Sequence, residues 1–170
     1  EILQALLPDV TICISSEVMP EIGEYERTAT AVCNAYVQPL FEKYISGLIQ
    51  GLKSMGIQKD LYLMQSDGGT VHYTTAMAYP IRLVQSGPAG GVQATSLIGK
   101  MAGLNDVLCF DMGGTTAKAC LINGSESQVI NDFEVARLQR FRKGSGIPLK
   151  VPAIDMIEIG SGGGSISRVN

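Results

Sequence analysis

Residues 110–122 read FDMGGTTAKACLI: an apolar run ends in an aspartate, passes two glycines and two threonines, and turns apolar again. Two readings fit. A two-residue hairpin between buried strands would use Gly113 and Gly114 for their tolerance of positive φ and ask nothing of their neighbours. A phosphate site would use the whole set. Glycine amides present N–H donors with no side chain in the way, Thr115 and Thr116 add hydroxyls, and Asp111 offers a carboxylate able to hold Mg2+ through water. Asp111 also ends a strand that otherwise reads as buried, where an unpaired charge is expensive. The set leans toward phosphate with magnesium.

Three more glycine turns are weaker signals. SGPAGG, with Gly87, Gly90 and Gly91, opens a helix, and a helix N-terminus draws anions through its free N–H groups and dipole. Close packing explains the same glycines equally well. SDGG at 66–69 follows an apolar strand, where ligand loops of α/β folds tend to lie. GSGGGS at 160–165 reads as a binding loop or as a flexible break with equal force. None of these turns has the Gly-Lys-Ser/Thr ending of a P-loop, and none gives a dinucleotide fingerprint with an acid about 20 positions on.

The elements that must position these turns alternate between helix and strand. Residues 1–7 read as helix and 10–14 as a short strand. Ser15, Ser16, Pro20 and Gly23 punctuate a loop. From Glu24 apolar residues recur at steps of three and four as far as Met55, giving a long helix whose broad apolar face packs against something large. Pro39 should kink or split it, and Gly56 stops it. Residues 60–65 form a buried strand before the SDGG turn, 74–78 a short helix stopped by Pro80, and 81–84 a further apolar run. Pro88 suits the first turn of a helix running to Met101 and stopped at Gly103. Gly90 and Gly91 cost that helix roughly 1 kcal/mol each against alanine, which implies close approach of a backbone or a ligand. Strands at 106–111 and 117–122 flank the FDMGGTT turn, Asn123-Gly124 signals a second hairpin, and 128–135 would complete a meander. A polar loop at 137–147 and an apolar run at 151–159 follow. The pattern is α/β with a mixed sheet containing a β-hairpin.

At 170 residues the chain fits one ordinary domain or a piece of a larger one. A chain of this size can bury roughly two-thirds of its unfolded surface. Its 45% hydrophobic content suits a well-buried interior, and a net charge of −3 leaves no basic footprint for nucleic acid. The densest basic run, Arg137, Arg140, Arg142 and Lys143, reads as solvated loop. No apolar run approaches the roughly 20 residues of a membrane span. The opening residues do not resemble a signal peptide, and without CxxC spacing the scattered Cys13, Cys33, Cys109 and Cys120 read as reduced thiols of a cytoplasmic protein. Cys109 and Cys120 stand across the hairpin from each other, with no disulfide expected. His72 is the single histidine; it argues against a His-rich metal site and reads as an ordinary loop residue. The ends of the chain read as those of a fragment.

SSEVMPEIGEYERTATAVCNAYVQP, MQSDGG, SGPAGG, FDMGGTTAKACL and GSGGGSIS occur here in an order that resembles the hydantoinase A/5-oxoprolinase family, which includes N-methylhydantoinase subunits and ATP-dependent ketone carboxylase subunits. The resemblance covers almost the whole chain. It implies an actin/hexokinase-type (ribonuclease H-like) ATPase fold, with residues 1–85 ending a first lobe. Residues 86–170 would supply the connecting helix and the start of a second lobe. In that scheme ATP and Mg2+ bind in a cleft between lobes, and Asp111 recruits magnesium. Gly113, Gly114, Thr115 and Thr116 would cradle phosphates, with Gly87, Gly90 and Gly91 alongside, and Asp67 would touch substrate or metal. The parent protein would be an ATP-dependent hydrolase of a small cyclic amide or imide, working with a hydantoinase B-type subunit, and this stretch alone would be inactive. Alternatives from the same resemblance are a ketone carboxylase subunit and a non-catalytic partner-binding domain. Two departures stand out. Lys118 occupies a position where relatives commonly carry an acid; it pairs with phosphate or Asp111, or it marks a subfamily with a different substrate. The first phosphate loop and the adenine segment of such a fold are not found in these residues.

Overall fold

The computed structural model describes residues 2–139, 142, 144–166 and 168. Helix α1 (Ile2–Leu6) leads into residues 10–14, which form no strand. Cys13 there donates its thiol to Gln38 Oε1 at 3.3 Å and packs on the long helix, so the segment finds a helical neighbour and no strand partner. A short α2 (Ser15–Val18) follows where a loop is expected. Helix α3 (Glu24–Ser54) runs for 31 residues through Pro39 without splitting, and Gly56 ends it at φ +84°. The sequence locates this helix but not its inward side. Ile45 is fully buried, whereas Val32, Tyr36, Leu40 and Tyr44 are exposed. Polar residues set the buried line: Asn34 Nδ2 donates to Ala78 O at 3.0 Å, and its Oδ1 accepts from Ile81 N–H.

Strands β1 (Tyr62–Met64) and β2 (Thr70–His72) form a hairpin around the SDGG turn. Helix α4 (Tyr73–Ala78) is capped by the His72 ring, whose Nδ1 accepts from Thr74 N–H, so the one histidine has a structural post. A 3₁₀ turn at Pro80–Leu83 then leads into α5 (Ser86–Met101), which ends where Gly103 takes φ +71°.

Strands β3 (Val107–Met112) and β4 (Ala117–Asn123) pair antiparallel through six register partners. β4 also pairs with β5 (Glu126–Ser127) and β10 (Ile157–Ile159). The turn into β5 sits one residue later than Asn123-Gly124 implies. Asn123 faces Glu126, and Gly124 and Ser125 take positive φ of 59° and 66°, the twist a two-residue hairpin requires. The expected third strand over 128–135 is broken. β6 (Val129–Ile130) pairs with β9 (Ala153–Ile154), and β7 (Phe133–Val135) pairs with β8 (Ile147–Leu149). Every strand pairing among the described residues is antiparallel, which corrects the expected mixed sheet. The physical reason is that α5 joins strands of different sheets, so no parallel crossover closes within one sheet.

Two apolar clusters hold this mixed α/β chain. In one, Ala89 and Val92 of α5 pack on Cys109, Cys120 and Ile122 of the hairpin and on Ile154. Cys109 and Cys120 are direct cross-strand partners with free thiols, and burial pushes the Cys120 thiol up. In the other, Val18, Ala31 and Ile81 meet Leu149 and Val151, so residues from both halves of the sequence share it. The far face of the hairpin sheet, with Leu108, Phe110, Met112, Leu121, Ile157 and Ile159, is exposed.

Candidate functional site

β3 and β4 carry the FDMGGTT turn at their free end. Met112 faces Ala117, so the loop has four residues, 113–116, and not two. It is closed by Gly113 N–H donating to Thr116 O at 3.0 Å. That bond uses one of the two glycine amides expected to face a phosphate. The N–H groups of Gly114, Thr115 and Thr116 have no hydrogen-bond partner among the described residues, and residues 113–115 are exposed.

The conformation does not require the glycines. Neither Gly113 nor Gly114 takes positive φ. A Cβ on Gly113 would meet nothing nearer than Thr116 O at 3.9 Å, and one on Gly114 would meet nothing within 4 Å. Neither backbone strain nor packing within this chain therefore forbids a side chain at Gly114. What a side chain there would fill is the open space above the free amides.

A second glycine loop supports the tip. Gly163 N–H donates to Gly113 O at 2.9 Å and Gly164 N–H to Gly114 O at 3.4 Å. Gly162 is buried beneath the tip, and a Cβ there would stand 2.5 Å from Gly114 C and 2.6 Å from Thr115 N. Its own N–H donates to Ser165 Oγ at 3.1 Å. Turning the Gly113 and Gly114 carbonyls toward the 160–165 loop helps leave the following amides outward. Sequence reading left this loop undecided; its glycine density was the signal, and only the long-range pairing shows what it serves.

Asp111 is exposed and forms no ion pair among the described residues. Directly across the ladder stands Lys118, and across from Lys118 stands Glu158. The Lys118 ammonium is 3.5 Å from the Glu158 carboxylate, so its partner is Glu158 and not Asp111. No group of three His, Cys, Asp or Glu residues suited to a metal occurs among the described residues. One carboxylate beside open amides and two hydroxyls suits a divalent cation that keeps its waters and comes with a phosphate, as Mg2+ does.

The other glycine turns lie elsewhere. Gly87, Gly90 and Gly91 occupy the first turns of α5, where Gly87 and Gly91 are open and Gly90 has only the Met64 side chain at 3.9 Å. No close backbone accounts for them. This helix start is tied to the SDGG turn, not to the hairpin tip, by hydrogen bonding: Gln85 N–H donates to Ser66 Oγ at 3.1 Å. Ser66, fully buried, also takes Ile154 N–H on its carbonyl and gives its own N–H to Arg82 O at 2.8 Å. Gly68 sits at φ +85°, and Asp67 Oδ1 accepts from Gly69 N–H at 2.8 Å. Asp67 thus faces a second cleft, together with Glu21, Arg82 and Lys150. The Asp132 carboxylate beside Lys150 raises that ammonium above the ordinary lysine value.

In the basic segment Arg137 pairs with Glu134 at 3.1 Å and Arg142 reaches Gln139, while Arg140 and Lys143 lie outside the described residues. The Gly144 N–H, at 2.7 Å, with Arg137 in support, holds the Glu134 carboxyl below its usual range. Among the described residues no helix is long and apolar enough to cross a membrane.

The family model described as Hydantoinase/oxoprolinase matches residues 27–170. An uncharacterised protein of Methanocaldococcus jannaschii is 42% identical, over 100% of this chain and 25% of its own length. The caprolactamase subunit alpha of Pseudomonas jessenii is 33% identical, over 99% of this chain and 23% of its own. The crystal structure of the ATP-dependent caprolactamase from that organism aligns at TM-score 0.73 and 30% identity, over 99% of this chain and 23% of that one. The acetone carboxylase beta subunit of Xanthobacter autotrophicus is 28% identical, over 95% of this chain and 21% of its own. The chain spans a quarter or less of the length of these relatives.

Proposed function

The chain belongs to the hydantoinase/oxoprolinase family, and we propose that it carries the phosphate-binding hairpin of an ATP-dependent enzyme that opens a small cyclic amide or imide. The observation that carries this reading is the Gly114 position: a glycine required by neither φ nor packing, beside amides and an exposed aspartate that have no partner among the described residues. An amide carbonyl is a poor electrophile. ATP bound here would supply a phosphoryl group to the carbonyl oxygen and leave as ADP. Water adding to the activated carbon would let the ring C–N bond break with the nitrogen leaving as a protonated amine, and a second water would release phosphate from the acyl phosphate so formed.

This chain's own residues position and neutralise charge, the main protein contribution in phosphoryl transfer. The amides of Gly114 and Thr115, with the Thr115 and Thr116 hydroxyls, would hold the phosphates, while Gly113 closes the loop. Asp111 would hold Mg2+ through water. Lys118, fixed by Glu158 one strand away, lends positive charge to the same row. The wider reading is an actin/hexokinase-type fold divided near residue 85, with α5 crossing between lobes and Gly87, Gly90 and Gly91 at its exposed start. In this reading the full-length protein is cytoplasmic and works with a hydantoinase B-type subunit. The test is Asp111→Asn in the full-length protein. ATP-dependent ring opening falls at least a hundredfold with an unchanged melting temperature; undiminished turnover removes Asp111 from the chemistry.

Similarity to the acetone carboxylase subunit keeps a second reading, ATP-driven carboxylation of a ketone. Product analysis separates the two, since one yields an opened ring and the other a new carboxylate.

A further inference from the structure

A cleft of about 280 Å3 opens between the end of α2, the turn after β1, Arg82 and the segment leading out of β8, and none of the hairpin-tip residues lines it. We infer that this cleft holds the ring of the cyclic amide, with Arg82 donating to its carbonyl oxygen and Asp67 accepting from its ring N–H. The inference rests on the hydrolase reading above and gives it a substrate site.

Four features carry it. The floor is apolar and preformed, since Val18, Met19 and Val151 are buried. The lining carries charges of both signs, Glu21 and Asp67 beside Arg82, with Lys150 engaged by Asp132. A rim of mixed sign over an apolar floor suits an uncharged polar ring better than a free anion such as phosphate. Among the described residues Arg82, Asp67 and Glu21 form no ion pairs with one another, so their hydrogen-bonding capacity is not consumed across the cleft. Finally, the size lies near the lower end of the roughly 300–1,000 Å3 of small-molecule sites, as a single ring requires.

The two groups named are held in place with capacity to spare. Arg82 gives one N–H to Val18 O at 3.0 Å, and its guanidinium lies 4.7 Å from the Tyr79 ring centroid. A guanidinium has five N–H donors, so most remain available. Its backbone carbonyl is fixed by Ser66 N–H. Asp67 spends Oδ1 on Gly69 N–H, which orients the carboxylate and leaves Oδ2 without a partner among the described residues. A lactam or imide presents its acceptor and its donor side by side, and one planar donor facing one carboxylate oxygen complements that edge. Lys150 is engaged with Asp132 and takes no part.

The test uses full-length protein titrated calorimetrically with ε-caprolactam, hydantoin and 5-oxoproline, and separately with Mg-ATP. Asp67→Asn, which retains an Oδ1 acceptor for the turn, weakens binding of the preferred ring at least tenfold and leaves the Mg-ATP affinity unchanged. Arg82→Gln does the same, with a melt to register the loss of the Val18 contact. If the wild type opens one of these rings and both variants keep its KM, the cleft assignment is overturned while the hydrolase reading stands. If the wild type neither binds nor opens any of the three, the hydrolase reading falls and takes this inference with it.

Discussion

Gly162→Ala probes the support of the hairpin tip through a clash whose size can be worked out. The added Cβ would stand 2.5 Å from Gly114 C, 2.6 Å from Gly114 O and 2.6 Å from Thr115 N. Comfortable carbon contacts lie at about 3.5–4.0 Å, so the overlap is about 1 Å, and every atom involved is backbone that no rotamer change can move. Either the 160–165 loop or the tip must shift by that distance. The shift strains or breaks the Gly163-to-Gly113 and Gly164-to-Gly114 hydrogen bonds, worth about 0.5–1.5 kcal/mol each. Overpacking of this kind costs about 1–3 kcal/mol in its own right. The function suffers more than the fold, because a 1 Å misplacement of a positioning element can cost about a hundredfold in rate. Gly163→Ala is the matched control, since its Cβ would rest 3.8 Å from Gly113 O, an ordinary contact. The assay is ATP-dependent turnover and thermal melting of both variants in the full-length protein. Gly162→Ala should lose about a hundredfold in turnover while Gly163→Ala stays near wild type. Equal behaviour of the two would refute the claim that the 160–165 loop sets the position of the tip.

Further outcomes follow from other sites. Ser66→Ala leaves the Gln85 amide without its hydroxyl acceptor at the entry to α5, and loss of a buried partner costs about 1–3 kcal/mol, readable by denaturant unfolding. Glu134 has a depressed carboxyl pKa, so its contribution to the 134–146 loop is complete above its unfolded value and is lost as pH falls through the folded one. Protection of the Gly144 amide relative to its intrinsic exchange rate should therefore fall in acid, and Glu134→Gln should remove that pH dependence.

Much of the secondary structure was legible because local signals agreed. The 3.6-residue period and Gly56 bounded α3, Pro88 and Gly103 bounded α5, and apolar runs on either side of the glycine turn marked β3 and β4. What failed depended on contacts distant in sequence. The burial of Thr30 and Asn34 in preference to Tyr36 and Leu40 follows from the Ala78, Ile81 and Lys150 backbones, which no helical period encodes. The short strands β6 to β9 pair across more than ten residues, and their register is invisible locally. At the site, residue types marked the turn at 113–116 as a candidate for phosphate. They did not reveal that Gly113 spends its amide closing the loop, that Lys118 faces Glu158, or that the loop at 160–165 supports the tip. Arg82 gave no sequence signal, because its place beside Asp67 depends on a 3₁₀ turn bonded to Ser66.

The most direct test is a Mg-ATP titration of the full-length protein against its Gly114→Ala variant. A methyl group at Gly114 meets nothing within 4 Å and demands no change of φ, so the melting temperature should match wild type. If the open space above these amides receives phosphate, nucleotide affinity drops at least tenfold. An equally stable variant that binds Mg-ATP as tightly as wild type would show that phosphate does not sit on this hairpin.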